Sequence, residues 1–210
     1  MNSPPAIRHI FFDIGGVLGT NGWDGEQRAH AAERFGLEPQ DFQFRHQETI
    51  GALEEGSLSL EEYLDITVFH CPRSFTRQEF VQFMYDQSQP YEHCIAIARA
   101  LAGTGRYSMC TLNNESDELN RYRIRRFGIR DVFDAFFSSC WLGVRKPMHR
   151  FYERSLAISQ CVPEESVFID DREQNLLPAH ALGMKTILFQ SAAQLDSDLA
   201  KLGVTTTERG

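Results

Sequence analysis

Short runs of apolar residues recur along the chain and alternate with stretches long enough to form helices. The first run covers residues 7–12, contains β-branched and aromatic residues, and ends at Asp13, shortly before two glycines. A run of this length bounded by turn residues is typical of a buried strand. Equivalent runs occupy residues 107–112, 135–138, 167–169 and 186–189, with helical patterns at 91–101, 116–127, 149–158 and 173–182. This alternation predicts a parallel sheet with helical crossovers.

The segment between the first two strands, residues 22–94, shows helical periodicity and no convincing strand pattern. Asp24, Ser59 and Thr76 stand where helix N-caps are expected, and the last two are followed three residues later by glutamate, as in a capping box. These signals predict helices over residues 25–35, 60–68 and 77–87. We therefore predict an α/β protein with a doubly wound, parallel-sheet, Rossmann-like core, residues 1–20 and 95–210, and an inserted all-helical cap, residues 21–94.

The composition is that of a folded protein with a substantial core. Hydrophobic residues make up 42% of the chain, and 16 of its residues are Phe. A formal net charge of -8 gives no global positive field that would concentrate nucleic acid or an anionic membrane surface, so we expect neither as a partner. One local basic group, formed by Arg121, Arg123, Arg125 and Arg126, could hold an anion, although a solvated helix face is the simpler interpretation.

The cysteines and the absence of long apolar runs bear on the cellular setting. The five cysteines are odd in number and well spread, with no Cys-x-x-Cys pair, which argues against a disulfide framework or a zinc site. No run of about eighteen apolar residues predicts a membrane span. We expect a reduced, soluble, cytoplasmic protein that is a monomer or a homodimer.

Polar residues follow the predicted strands at the edge where open α/β sheets bind their ligands. Asp13 follows the first run, Asn113 and Asn114 the second, Lys146 the third, and Asp170 with Asp171 the fourth. Each has an ordinary alternative role, as a turn residue, a surface lysine or a helix cap. Together, carboxylates from two strands and one lysine favour a site for a hard cation and an anionic group. The pattern therefore indicates phosphoryl transfer.

Four segments in chain order resemble the motifs of a known family. They are residues 10–18, 110–116, 144–147 and 167–175, and they resemble the four motifs of the haloacid dehalogenase (HAD) superfamily. The helical insertion lies where that family carries its cap. Within the superfamily the chain looks most similar to the glucose-1-phosphatase-like phosphatases.

The resemblance implies a phosphatase in which Asp13 attacks phosphorus and forms an aspartyl phosphate that water then hydrolyses. It implies Mg²⁺ as the cofactor, held by Asp13, the carbonyl oxygen of Gly15 and the acids Asp170 and Asp171, with Asp171 the better candidate for direct ligation. Lys146 would neutralise the phosphoryl oxygens, and Asn113 and Asn114 would bind the phosphoryl group. The expected substrate is a small phosphorylated metabolite, with sugar phosphates as one candidate class.

Two positions depart from the family pattern. Gly15 stands where these phosphatases usually carry a second Asp that protonates the leaving group, a function typically worth about 10²–10⁴ in rate. Asp24 and His30 are candidate replacements, although Asp24 is more simply a helix N-cap. In the second motif Asn113 occupies a position that is normally Ser or Thr, and a shifted alignment would assign Thr111 instead.

The departures keep two other functions open. One is a catalytically weak or silent member of the family that binds a phosphorylated ligand or a protein. The other, less favoured, is a 2-haloacid dehalogenase that uses Asp13 as a nucleophile on carbon. Retention of the Asp170–Asp171 pair favours metal and phosphate over this last reaction.

Overall fold

The computed structural model describes residues 5–206, and its centre is one five-stranded sheet. The strands are β1 (His9–Phe12), β2 (Ser108–Asn113), β3 (Ala135–Ser138), β4 (Ser166–Asp170) and β5 (Lys185–Leu188). They are all parallel and lie in the order β3-β2-β1-β4-β5. The predicted α/β class with a parallel sheet is confirmed, and each predicted strand lies within two residues of its observed bounds.

Both faces of the sheet are covered by helices, because successive strand residues point to opposite sides. Ile10 and Phe12 join a buried cluster that includes residues of α5 (Glu92–Gly103) and α10 (Ala192–Lys201). Phe11 joins a second cluster on the other face with residues of α8 (His149–Ser159) and α9 (Glu173–Ala181). The remaining helices of this part are α6 (Asp117–Arg126) and the single turn α7 (Ser139–Leu142). The sheet is therefore doubly wound.

Four helices between β1 and α5 share a third buried cluster. They are α1 (Gly25–Phe35), α2 (Pro39–Glu54), α3 (Leu60–Thr67) and α4 (Arg77–Asp86). The cluster is aromatic, with Trp23, Phe42, Tyr63 and Phe80 among its members. The three predicted N-caps are confirmed: Asp24 accepts from the Glu26 amide, and Ser59 and Thr76 form complete capping boxes. The division of the chain at residues 20/21 and 94/95 stays a prediction.

Helix α2 was missing from the predicted elements, for a reason visible in its buried face. That face consists of Phe42, His46, Thr49 and Leu53. Two of these four residues are polar, so the apolar stripe that identifies an amphipathic helix is interrupted. Within residues 5–206, every helix also falls short of the combined length and apolarity that crossing a membrane requires.

Candidate active site

The carboxyl ends of β1 and β4 bring two acids to one lysine. Lys146 Nζ lies 2.8 Å from Asp13 Oδ2 and 2.7 Å from Asp170 Oδ2, and it also donates to the Leu112 carbonyl oxygen at 2.9 Å. The ammonium group therefore uses all three of its protons. All three side chains are buried. The parallel register of β1 and β4 explains why Asp13 and Asp170 lie close together. Phe12 lies beside Ile169, and the Asp13 amide donates to the Ile169 carbonyl oxygen.

The acids of this site are held in an environment that disfavours their charge. Burial raises the pKa of Asp13 to about 8; Lys146 opposes the rise and Asp170 adds to it. The pKa of Asp171 is also raised, first by burial and then by the neighbouring Asp170. Burial alone would lower the pKa of Lys146, but Asp13 and Asp170 outweigh it and hold that pKa above its usual value. One lysine thus compensates the carboxylates incompletely, and a further cation would stabilise their ionised forms.

The same acids have the geometry and the donor type of a divalent-cation site. Asp13, Asp170 and Asp171 each offer an oxygen within 4.8 Å of the others, and hard oxygen ligands suit Mg²⁺. Asp171 Oδ1 is buried and has no hydrogen-bond partner among the described residues. The Asp170 oxygens, in contrast, accept from Lys146, the Arg172 amide and Asn175. These contacts support Asp171 as the acid with an oxygen available for direct ligation.

Glycine at position 16 makes room for Asp171. A Cβ atom at this position would lie 2.3 Å from the Asp171 carboxylate, and the backbone has φ = +77°. Both features favour glycine. The second of the two glycines after Asp13 is therefore explained by the approach of β4, while Gly15 faces the other side of the loop.

The two asparagines after β2 have different surroundings. Asn114 Oδ1 accepts from the Lys146 amide at 2.8 Å, and its Nδ2 donates to the Lys146 carbonyl oxygen at 3.0 Å. Asn113, the last residue of β2, donates to Asn120 Oδ1 at 3.0 Å. Thr111 is fully buried inside the strand, where it pairs with Phe12. The strand register thus places Asn113 and Asn114, and not Thr111, at the strand end.

A cavity of about 440 Å³ opens above these strand ends and extends to the helices of the predicted cap. Its acidic lining residues are Asp13, Asp24, Glu54 and Glu115, and its basic ones are Arg28, Arg123, Arg145, Lys146 and Arg172. Asn114, Trp23 and His46 also line it, whereas His30 does not and is exposed on α1. Such a density of charge suits a small, polar, ionised ligand. His30 is therefore wrong as a replacement acid, while Asp24 both lines the cavity and caps α1.

A chain of hydrogen bonds connects three aromatic side chains beside the cavity, and two of them, Trp23 and His46, line it. Trp23 Nε1 donates to Tyr63 Oη at 3.0 Å, and Tyr63 Oη lies 2.9 Å from His46 Nδ1. The indole donates to the Tyr63 hydroxyl, which shares one further hydrogen bond with Nδ1. Burial lowers the pKa of His46 to about 3, so the ring is neutral and has one donor and one acceptor nitrogen. His46 thus adds a neutral, hydrogen-bonded imidazole to the cavity lining.

Arg123 contradicts the interpretation of its basic group as a solvated helix face. Arg121, Arg125 and Arg126 are exposed, but Arg123 is 2% exposed and lines the cavity. Its Nε lies 3.5 Å from Glu115 Oε2. Burial raises the pKa of Glu115, and Arg123 opposes that rise. An ion pair of buried groups therefore forms part of the cavity wall.

Sequence reasoning did not place Arg123, Glu115 or His46 at the cavity, although it named Arg123 in a basic group that could hold an anion. A signal existed for two of them. Glu115 directly follows Asn114, so it lies at the same strand end. Arg123 stands four residues after Leu119 and one before Ile124, and all three lie on the buried face of α6. His46 carried no comparable signal, because α2 itself was not predicted.

Known proteins resemble this chain over most of its length. The sequence model of the haloacid dehalogenase-like hydrolases matches residues 7–183. Bifunctional epoxide hydrolase 2 of Rattus norvegicus is 27% identical over 218 residues, covering 94% of this chain but only 39% of that protein. D-ribitol-5-phosphate phosphatase of Bacteroides thetaiotaomicron is 25% identical over 211 residues, covering 92% of this chain and 97% of that protein.

A solved structure shares the fold. A HAD family enzyme of Bacteroides thetaiotaomicron, crystallised with magnesium and inorganic phosphate, superposes with a TM-score of 0.74 at 19% identity, covering 90% of this chain and 99% of the other. The family match includes each of the four segments that carry the strand-end residues. This chain belongs to the haloacid dehalogenase-like hydrolases.

Proposed function

We propose that this hydrolase is a magnesium-dependent phosphatase of a small phosphorylated metabolite and that it acts through an aspartyl phosphate on Asp13. The observation that carries the proposal is the group Asp13, Lys146, Asp170 and Asp171, here called the strand-end cluster, two of whose members, Asp13 and Lys146, line the polar cavity. A buried carboxylate beside an ammonium group and two further acids suits nucleophilic attack on phosphorus.

Each residue of the cluster has a distinct part in this reaction. Asp13 is the nucleophile, and the hydrogen bond from the Ile14 amide to its Oδ1 at 2.7 Å orients the carboxylate. Lys146 holds Asp13 and offsets charge on the phosphoryl oxygens. Asn114 fixes the backbone of Lys146 through its two hydrogen bonds. Magnesium, held by Asp13, Asp171 and the Gly15 carbonyl oxygen, would supply further charge stabilisation at phosphorus.

The choice of a phosphate ester has two supports besides the cluster. The chain is similar to D-ribitol-5-phosphate phosphatase over nearly the full length of both proteins. The cavity is also lined by charged and hydrogen-bonding groups, which suits a small polyhydroxylated or ionised substrate. Sugar phosphates as the substrate class, the specific likeness to glucose-1-phosphatases, the oligomeric state and the cytoplasmic location stay predictions.

A test of the proposal measures phosphate release from a panel of sugar phosphates, nucleotides and para-nitrophenyl phosphate, with Mg²⁺ and with EDTA. We expect release that requires Mg²⁺ and that falls by about 10⁴-fold or more in Asp13→Asn, which is nearly isosteric but cannot act as the nucleophile. Asp196→Asn, at an exposed position of α10, is the matched control and should retain full activity.

The outcomes separate the three functions that the sequence left open. Phosphate release at the same rate in Asp13→Asn and wild type would exclude an aspartyl phosphate intermediate. No release across the panel from folded protein would contradict the phosphatase, and halide release from 2-haloacids by the same protein would then indicate the dehalogenase. Binding of inorganic phosphate without turnover would indicate the silent module.

A further inference from the structure

Arg123 ends beside the loop that follows the nucleophile, and one of its nitrogens has no partner there. Its Nε donates to Ser88 Oγ at 3.2 Å and its Nη2 to the Thr20 carbonyl oxygen at 3.0 Å, while Glu115 flanks Nε. Nη1 makes no hydrogen bond to any of residues 5–206. Because Arg123 lines the cavity, this free donor is available to a ligand there.

Two glycines show that the local backbone is shaped around this guanidinium group. A Cβ atom at position 22 would lie 1.7 Å from Arg123 Nη2, and Gly22 also has φ = +79°. A Cβ atom at position 15 would lie 3.3 Å from Arg123 Nη1 and 3.2 Å from Asn21 Oδ1. Nη1 therefore occupies the direction in which a side chain two residues after Asp13 would point.

The carboxyl groups of the cavity are engaged elsewhere. Asp24 accepts from the Glu26 amide as an N-cap, and Glu54 lies 2.6 Å from Arg145. Glu115 accepts from the Ser116 amide and faces Arg123 Nε, so the guanidinium group lies between this acid and position 15. Beside position 15 the structure thus offers a permanent positive charge in place of a carboxylic acid.

We infer that Arg123 is a catalytic residue whose Nη1 holds the leaving oxygen of the substrate as an anion, and that the preferred substrates are aryl, enol or acyl phosphates rather than alkyl phosphates. The inference rests on the proposed phosphatase function. An oxygen attached to an aryl, enol or acyl group departs as a stable anion, whereas an alkoxide needs a proton that an arginine does not supply. A fixed positive charge at the developing anion stabilises the transition state directly.

The step balances without an acid. An oxygen of Asp13 forms a bond to phosphorus while the bond from phosphorus to the leaving oxygen breaks, and the electron pair of that bond stays on the leaving oxygen. The anion is held by Arg123 and takes a proton from water after it departs. Water then hydrolyses the aspartyl phosphate and restores Asp13.

The test measures kcat/KM with Mg²⁺ for a series of substituted phenyl phosphates and one alkyl phosphate. The proteins are wild type, Arg123→Gln, Arg123→Lys and the control Arg126→Gln, whose arginine is exposed on the same helix. In wild type we expect kcat/KM to fall as the leaving group becomes more basic, with no solvent deuterium isotope effect. Arg123→Gln should lose about 10²–10³-fold with the poorest leaving group and much less with the best. Arg123→Lys should recover part of that loss, and Arg126→Gln should match wild type.

Several results would overturn the inference while leaving the phosphatase intact. One is an equal loss with every ester in Arg123→Gln, which would mean a structural or phosphoryl-binding role. Another is a solvent isotope effect above unity in wild type, or similar rates for aryl and alkyl esters, which would mean that an acid donates a proton. These wild-type measurements hold even if Arg123→Gln does not fold. No release from any ester would overturn both this inference and the proposed function.

Discussion

The cavity has two walls of different origin, and their comparison shows how this site is built. The strand-end cluster comes from residues that directly follow β1 and β4, with Lys146 from the loop before α8. The second wall, here called the helix wall, consists of Trp23, His46, Glu115 and Arg123, with Tyr63 buried behind it. In the first wall, chain order and sheet register decide the contacts. In the second, the packing of α2, α3 and α6 decides them.

The two walls also differ in charge. The strand-end cluster has three acids for one lysine, which leaves it short of positive charge. The helix wall is balanced, with one acid, one arginine and a neutral histidine. Under the proposed function, the strand-end cluster would bind the cation and the phosphoryl group, and the helix wall would contact the leaving group.

The largest expected effect concerns the strand-end cluster. Lys146→Met removes an ammonium group that lies between two buried acids, and leaving a buried charge unpaired typically costs about 3–5 kcal/mol. We expect this loss in the free energy of unfolding at neutral pH, measured by urea titration, together with loss of phosphate release. Lys201→Met is the control, because its ion pair with Asp198 is exposed, and it should change stability by less than about 0.5 kcal/mol. Equal effects of the two substitutions would contradict the cluster's part in stability.

The second prediction concerns the boundary between the walls. Gly15→Asp introduces a carboxylate next to Arg123 Nη1, where the two groups would pair. We therefore expect kcat/KM for phenyl phosphate to fall by about 10²-fold, because the pair removes the positive charge from the leaving oxygen. Steady-state kinetics on the folded variant measures this. A rise in activity, above all with alkyl phosphates, would show instead that position 15 still accepts a general acid.

The third prediction uses pH to probe the helix wall. The pKa of His46 is about 3 in the folded protein and about 6.5 in an unfolded chain, so between these values the unfolded state binds more protons. Acidification below about pH 6.5 should therefore destabilise the protein, by about 2 kcal/mol at pH 5. We expect His46→Gln to lose less stability than wild type between pH 7.5 and pH 5 in urea titrations. His180→Gln, at an exposed position, is the control and should lose as much stability as wild type over this pH range. An equally large loss in His46→Gln would contradict the claim that His46 is held neutral.

The smallest expected effect concerns the ion pair between α2 and the loop that carries Lys146. Glu54 and Arg145 lie 2.6 Å apart and both side chains are partly exposed, so the pair contributes less than about 1 kcal/mol. Glu54→Gln should lower the midpoint of thermal unfolding slightly at low salt and not at 1 M NaCl, because salt screens exposed charges. Glu55→Gln is the control. A loss that persists in high salt would indicate that Glu54 has a packing role instead.

Much of the fold could be predicted because the sequence patterns that indicate its strands and helix caps involve residues close together in the chain. A strand of the sheet is a short apolar run, and each of the five was predicted within two residues. The capping boxes at Ser59 and Thr76 were found for the same reason, since each depends on two residues three positions apart. Helix α2 was not, because its buried face includes His46 and Thr49, whose burial depends on partners elsewhere in the chain.

The sequence by itself determined the parallel sheet and the set of polar residues at its strand ends, because strand periodicity and chain order are properties of the sequence. Only the tertiary structure decided that Arg123 turns inward to Gly15, that Glu115 flanks it, and that burial keeps His46 neutral beside Tyr63. These contacts join residues far apart in the chain, such as Thr20 with Arg123. The periodicity of a helix predicts which of its faces is buried, but not which residues that face contacts. The contact between the helix wall and the loop after Asp13 therefore depends on tertiary packing.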